Sequence, residues 1–318
     1  MTTCQMSFRR AGLAIMIASA LAPALIGCST SPTKAAEDLG PYSSLYDGKS
    51  DTAFATLMPV TSAPEALQRG DLALAQGDMD RALFEYIRAL NFDDGNPTAL
   101  YKIGVIHASR NNDQLAELAF RGAINADARN VGALTGLGVL LLKRRDYPGA
   151  KQYLEQAVAI DDRVVRAHNG LGVMADLERD YKTAQNHYQR ALDASPGSPS
   201  LLNNLGYSRY MAGNWDGAIT AFREALLNDP NYERAWRNLA LVYTRQKRYD
   251  DAVEALTKIE DIPEAYNDVG YVAMLDGKLD KANDYFAEAK RLSPHFYALA
   301  DTNQRRVELM QGHATTTR

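Results

Sequence analysis

Cysteine is nearly missing from this 318-residue chain, which has only Cys4 and Cys28. At most one disulfide is therefore possible, and thiolates alone cannot complete a zinc site. An excess of basic charge is missing as well: 35 Lys and Arg stand against 39 Asp and Glu, a formal net charge of −4. A general nucleic-acid binder needs a cationic face that releases counterions from phosphate, so this balance argues against one. Histidine is scarce, with five residues and no His-Glu-x-x-His arrangement. With 46% hydrophobic and 23% charged residues, the chain is neither a disordered polymer nor a collagen-like repeat nor a polytopic membrane protein. Its length fits two domains or one repetitive array, which composition does not separate.

One extended apolar run lies near the N terminus. Arg9 and Arg10 precede Ala11 to Ile26, a stretch broken only by Gly12, Ser19 and Pro23. It is too short and interrupted for a permanent span and has the form of an export signal, residues 1–27. The run ends in Leu25-Ile26-Gly27-Cys28, which resembles the lipobox of bacterial lipoproteins. That resemblance implies cleavage before Cys28 and a diacylglyceryl group on its thiol. Cys4 is then discarded, no thiol chemistry remains, and the mature chain carries 33 bases against 39 acids. Each buried methylene contributes about 0.8 kcal/mol, so more than one acyl chain gives stable membrane anchoring. Ser29 stands where Asp is absent; by resemblance to enterobacterial sorting rules, this favours the outer membrane, with the folded body facing the periplasm. Residues 28–62 are rich in Ser, Thr, Pro and Gly and read as a lipidated, flexible tether, with Thr52 to Val60 apolar enough to pack as a local cap.

The rest is dominated by a repeat. Gly70, Gly104, Gly138, Gly172 and Gly206 recur at intervals of 34, and Ala240 continues the series. Twelve residues after each stands an alanine (Ala82, Ala116, Ala150, Ala184, Ala218, Ala252), and four further on a large residue (Tyr86, Phe120, Leu154, Tyr188, Phe222, Leu256). A seventh copy follows after a shorter interval, with Gly270, Ala282 and Phe286. Two helical stretches per copy, joined by polar turns such as Gly77-Asp78 and Gly213-Asn214, account for the residue types. Small residues let paired helices approach, while large ones fill the space between copies. Pro196, Pro230 and Pro294 end second helices, where a missing amide costs least.

This pattern resembles the tetratricopeptide repeat family from about Pro64 to Ser293. The resemblance implies an all-α, right-handed superhelical solenoid of about seven helix-turn-helix repeats over residues 63–294. First helices would line its inner surface, a capping helix over 295–311 would cover the last repeat, and 312–318 would form a tail. The sixth repeat is four residues short around Glu260-Asp261-Ile262-Pro263, which reads as a shortened loop.

No catalytic constellation, metal site or cofactor-binding motif competes with this reading. His107 and His168 fall at packing positions. Gly136-Leu137-Gly138 and Gly170-Leu171-Gly172 share one repeat phase, so helix packing explains them better than a phosphate loop. Binding of a protein or peptide is expected on the concave face. The family's inner-face positions fall on Tyr101, Val105, Thr135, Val139, Asn169, Val173, Asn203, Tyr207, Tyr210, Arg237, Leu241, Thr244, Asn267 and Tyr271. Asparagine satisfies backbone amides and tyrosine offers apolar area with a polar tip. The lysine–asparagine carboxylate clamp of some chaperone-binding relatives is not reproduced. Lipobox, tether and array together resemble the assembly lipoproteins of tight-adherence (Flp-type) pili and the pilotins of type IV pilus secretins. A secretin or pilus subunit is the partner this implies. An adaptor for peptidoglycan hydrolases or synthases, and an accessory of outer-membrane protein assembly, are the alternatives.

Overall fold

A computed structural model describes residues 39–47 and 59–316. The expected signal, Cys28 and most of the expected Thr52 to Val60 cap lie outside these residues. Fifteen α-helices follow one another, with no strand among the described residues. First helices are α1 (Ala63–Ala75), α3 (Pro97–Ser109), α5 (Val131–Lys143), α7 (Val165–Leu177), α9 (Pro199–Met211), α11 (Glu233–Arg245) and α13 (Ile262–Leu275). Their partners are α2 (Met79–Phe92), α4 (Asp113–Ala126), α6 (Tyr147–Ile160), α8 (Tyr181–Ala194), α10 (Trp215–Asn228), α12 (Tyr249–Leu256) and α14 (Leu279–Leu292). The last helix, α15 (Ala298–Thr316), packs on the seventh repeat and buries Ala300, Asn303 and Val307.

Local chemistry sets the boundaries. Asp78, Asp146, Asp180 and Asn214 cap second helices by accepting a hydrogen bond from the amide three residues on. Asn96 and Asn130 do the same for first helices, and Pro97 and Pro199 occupy an opening turn that needs no amide. Each first helix is stopped by a left-handed residue at the same phase: Gly77, Asn111, Arg145, Arg179, Gly213, Lys247 and Gly277, with φ between 59 and 80°.

The recurring glycines are contact points. A β-carbon added at Gly104, Gly138, Gly172, Gly206 or Gly270 would lie 2.6–2.9 Å from Phe120, Leu154, Tyr188, Phe222 or Phe286 of the same repeat. Gly136 and Gly170 meet Phe120 and Leu154 of the preceding repeat, at 2.6 and 2.8 Å. One large side chain thus plugs two glycine notches and joins neighbouring repeats. Each second helix packs on the next first helix, and from the second repeat onward successive first helices also touch. Among the described residues no comparable contact joins second helices. The first helices therefore line the inner surface, and the helix-pair solenoid implied by the repeat is the observed architecture.

Two features differ from the sequence reading. The shortening of repeat 6 falls on a helix and not on a loop: α12 has eight residues where the other second helices have 14. Thr257 to Asp261 then turn directly into α13. Within the region read as a tether, residues 39–47 pack against the array. A 3₁₀ turn, Gly40–Leu45, buries Leu39 and Leu45 against α2. The Leu45 carbonyl meets His107 Nε2 at 2.8 Å, and Asp47 pairs with Arg110 at 2.7 Å. Apolar residues at one end of a polar segment found a groove beside repeats 1 and 2, and their burial outweighs the segment's loop-like composition.

Candidate functional site

The inner surface is widest in chemical variety over repeats 4 to 6. A groove of about 540 Å³ is lined by Val173, Asp176, Asn203, Tyr207, Arg234 and Arg237, among others. Tyr207 is 42% exposed, and its ring lies 6.1 Å from that of Tyr210. The Tyr210 hydroxyl accepts a hydrogen bond from Arg245 Nε at 3.0 Å, which fixes the outer edge of this aromatic pair. Arg234 and Arg237 are exposed along one side, and Leu241 presents its side chain one turn beyond Arg237. A second hollow of about 540 Å³ joins α13 to α15 and includes Tyr271, Asn267, Asn303 and Arg306. Val105 and Val139 line a smaller one, about 290 Å³, between repeats 2 and 3.

The predicted asparagines do something more specific than wait for a ligand. Asn204 Nδ2 donates to Asn169 Oδ1 at 2.9 Å, Asn238 to Asn203 at 2.8 Å, and Asn303 to Asn267 at 3.1 Å. These pairs form a ladder between adjacent inner helices. Asn203 and Asn267 are buried, the latter only 2% exposed, so their carbonyl oxygens are committed to neighbouring repeats. A buried amide left unpaired is costly, which explains why both rungs are polar. Tyr101 is likewise a packing residue: its ring lies 6.3 Å from Phe120 and covers Gly132, where a β-carbon would approach to 2.7 Å. Thr135 and Thr244 are buried, and Thr244 Oγ1 donates to its own helix at Leu241 O, 2.8 Å away. Of the expected inner-face positions, Tyr207, Arg237, Leu241 and Tyr271 are therefore the exposed ones, with Asn169, Val173 and Tyr210 half-buried beside them. Sequence reading missed Asp176, Asn204, Asn238 and Arg179 as groove residues. Asn204 and Asn238 stand 34 residues apart at one repeat phase, a signal that was legible.

Charge inside the groove is uneven. Burial holds the Asp176 carboxyl above the usual range even though the Tyr188 hydroxyl donates to it at 2.8 Å. The histidines lie away from the groove: His168 and His187 face each other with Nδ1 atoms 3.0 Å apart, and His168 Nε2 meets the Asp162 carbonyl at 2.8 Å. Burial and the adjacent His168 push His187 below the ordinary histidine value. Among the described residues no group of three or more His, Cys, Asp or Glu is placed to hold a metal ion, and no helix is long and apolar enough to cross a membrane.

The family model described as "Tetratricopeptide repeat" matches residues 63–131, 135–199 and 203–263. The chain belongs to the tetratricopeptide repeat family. No curated protein matches it. Among solved structures, a tetratricopeptide repeat protein from Parabacteroides merdae is 15% identical, with a TM-score of 0.53, covering 77% of this chain and 98% of its own. The pilF protein of Pseudomonas aeruginosa is 19% identical with a TM-score of 0.51, covering 69% of this chain and 98% of its own. A chain of the APC/C hetero-tetramer Cut9–Hcn1 is 16% identical with a TM-score of 0.53, covering 77% of this chain and 51% of its own. These likenesses establish the fold. A tetratricopeptide array of this kind is a scaffold suited to protein–protein interaction, and its inner groove is the surface such a scaffold presents.

Proposed function

We propose that this tetratricopeptide protein is a non-catalytic scaffold, held at the bacterial outer membrane by lipid on Cys28, that captures an extended segment of an envelope protein in its inner groove. The partner class we favour is a subunit of a tight-adherence (Flp-type) pilus machine or its secretin. The observation that carries the capture reading is the exposed run of Tyr207, Arg237 and Leu241 beside a hydrogen-bonded asparagine ladder. Inner helices tied to one another by these hydrogen bonds present the exposed aromatic and cationic side chains on a preorganised surface, which lowers the ordering cost of binding. Support for the anchor is the sequence Leu25 to Cys28 after an apolar run. The pilus assignment rests on the plan of lipobox, short connecting segment and repeat array.

A photo-crosslinking side chain at position 207 is expected to trap one dominant partner in intact envelopes. The same group at Leu227, exposed on a second helix, is expected to trap little. Equal yields at both positions would remove the groove from the account. A Cys28→Ser chain is expected to fold normally and leave the membrane fraction; its retention there would refute the lipid anchor. If the trapped protein is a cell-wall hydrolase or synthase, the alternative adaptor role replaces the pilus one.

A further inference from the structure

From repeat 4 onward the asparagine ladder breaks at one joint, between repeats 6 and 7, and the break coincides with the truncated helix. In repeat 6 the position equivalent to Asn203 is Arg237, and in repeat 7 the position equivalent to Asn238 is Asp268. Because α12 stops at Leu256, residues 257–261 leave an open recess of about 700 Å³ between repeats 6 and 7. Glu233, Arg237, Lys258, Glu260, Asp261 and Glu264 line it. Acids outnumber bases there by four to two, and Asp268 adds to the field felt by Glu260.

Glu260 is the centre of the recess. Its side chain is only 10% exposed, and its Oε1 atom is buried without any hydrogen-bond partner. The other oxygen stands 3.6 Å from Arg237 Nη1, and Arg237 Nη2 is also 4.0 Å from Glu233. Arg237 is thus divided between two carboxylates and closes a hydrogen bond with neither. A buried carboxylate oxygen without a donor is an expensive arrangement, and natural proteins retain few of them. Burial, together with Asp268 and Glu264, also holds the Glu260 carboxyl above its ordinary range, while Arg237 opposes this. A single buried carboxylate with exposed acids at its rim does not match a metal site, which needs several converging oxygens. It does match one ammonium or guanidinium, whose N–H groups would donate to the Glu260 carboxylate in a charge-assisted hydrogen bond once the carboxyl turns Oε1 toward the recess.

We infer that the recess at the repeat 6–7 joint receives one lysine or arginine side chain of the polypeptide bound in the inner groove. This rests on the groove reading above, because Arg237 lines both the groove and the recess, so the two adjoin at that residue. The bound segment runs past Tyr207 and Arg237 and lowers its basic side chain toward Glu260. The partner is therefore a segment with a basic residue among apolar or aromatic ones.

The test is selection of ten-residue peptides from a random phage-displayed library on the full chain. Retained peptides are expected to share a Lys or Arg, and replacing it by Gln in a synthetic copy should weaken binding about tenfold, as loss of a charge-assisted hydrogen bond does. Glu260→Gln should erase the basic preference. The exposed change Glu264→Gln at the rim should weaken it without touching the core. Selected peptides lacking a basic residue, or a preference unchanged in Glu260→Gln, would overturn the recess. Tyr207→Ala separates the two levels. If it lowers retention while no basic preference exists, the groove stands and the recess falls. If wild type retains no peptide, or Tyr207→Ala changes nothing, the groove reading falls and the recess with it.

Discussion

A β-carbon at Gly104 would sit 2.6 Å from the Phe120 ring, and the ring has no free space to retreat into because its far edge already fills the Gly136 notch. Gly104→Val is therefore expected to destabilise the array by about 1–3 kcal/mol through overpacking, read as a shift in urea midpoint. An unchanged midpoint would mean that the notch is not closed in solution. His107 makes a second prediction at this scale. It is fully buried; burial lowers its basicity more than the Leu45 carbonyl and Asp47 restore it. The folded form holds it neutral, so the unfolded chain takes up the proton first as pH falls below about 6.5. Stability contributed by His107 is complete above that value and declines as pH falls through the lowered folded value. Urea midpoints at pH 7.5, 6.5 and 5.5 are expected to drop on the acid side, and His107→Gln is expected to flatten that drop. His187, lowered for the same reason, contributes in the same direction.

The turns inside repeats carry the element-scale predictions. Arg145 adopts φ 63° at the position where Gly77, Gly213 and Gly277 serve elsewhere. An L-residue in the left-handed region costs roughly 1–2 kcal/mol relative to its right-handed form. Arg145→Gly is expected to raise the thermal midpoint, offset in part by the greater freedom glycine gives the unfolded chain; a lowered midpoint would contradict the turn geometry. The segment 39–47 is the other element at issue. Leu45→Ala is expected to cost about 2–3 kcal/mol and to raise hydrogen exchange in repeats 1 and 2 more than in repeat 7. Equal exchange in both places would mean that this segment does not brace the array. The element pattern itself was open to sequence reading, since glycine, alanine and aromatic residues recur at fixed phase. The truncation of α12 was not, because a four-residue deletion shifts the frame without showing whether a helix or a loop absorbs it. Packing of residues 39–47 was hidden for a related reason: its buried apolar anchors, Leu39 and Leu45, are two residues in a short polar stretch, and the polar contacts of Leu45 and Asp47 reach residues about 60 positions away.

Among the described residues, each repeat packs on its neighbours along the chain, so stability accumulates joint by joint and the inner surface is continuous. The sequence showed which positions face inward but not which of them are already taken. Asn203, Asn267 and Tyr101 share the phase of true surface residues, yet close inner-helix approach commits them to adjacent repeats. Tyr207, Arg237 and Leu241 lie where that ladder leaves side chains exposed. The reading that unites these scales is that the groove across repeats 4 to 6 captures a protein segment. Affinity purification of the membrane-extracted full chain, wild type beside Tyr207→Ala/Arg237→Ala, tests it most directly. One partner is expected with wild type and at least about tenfold less with the equally folded variant, the loss of two interface anchors; equal recovery from both would contradict capture in the groove.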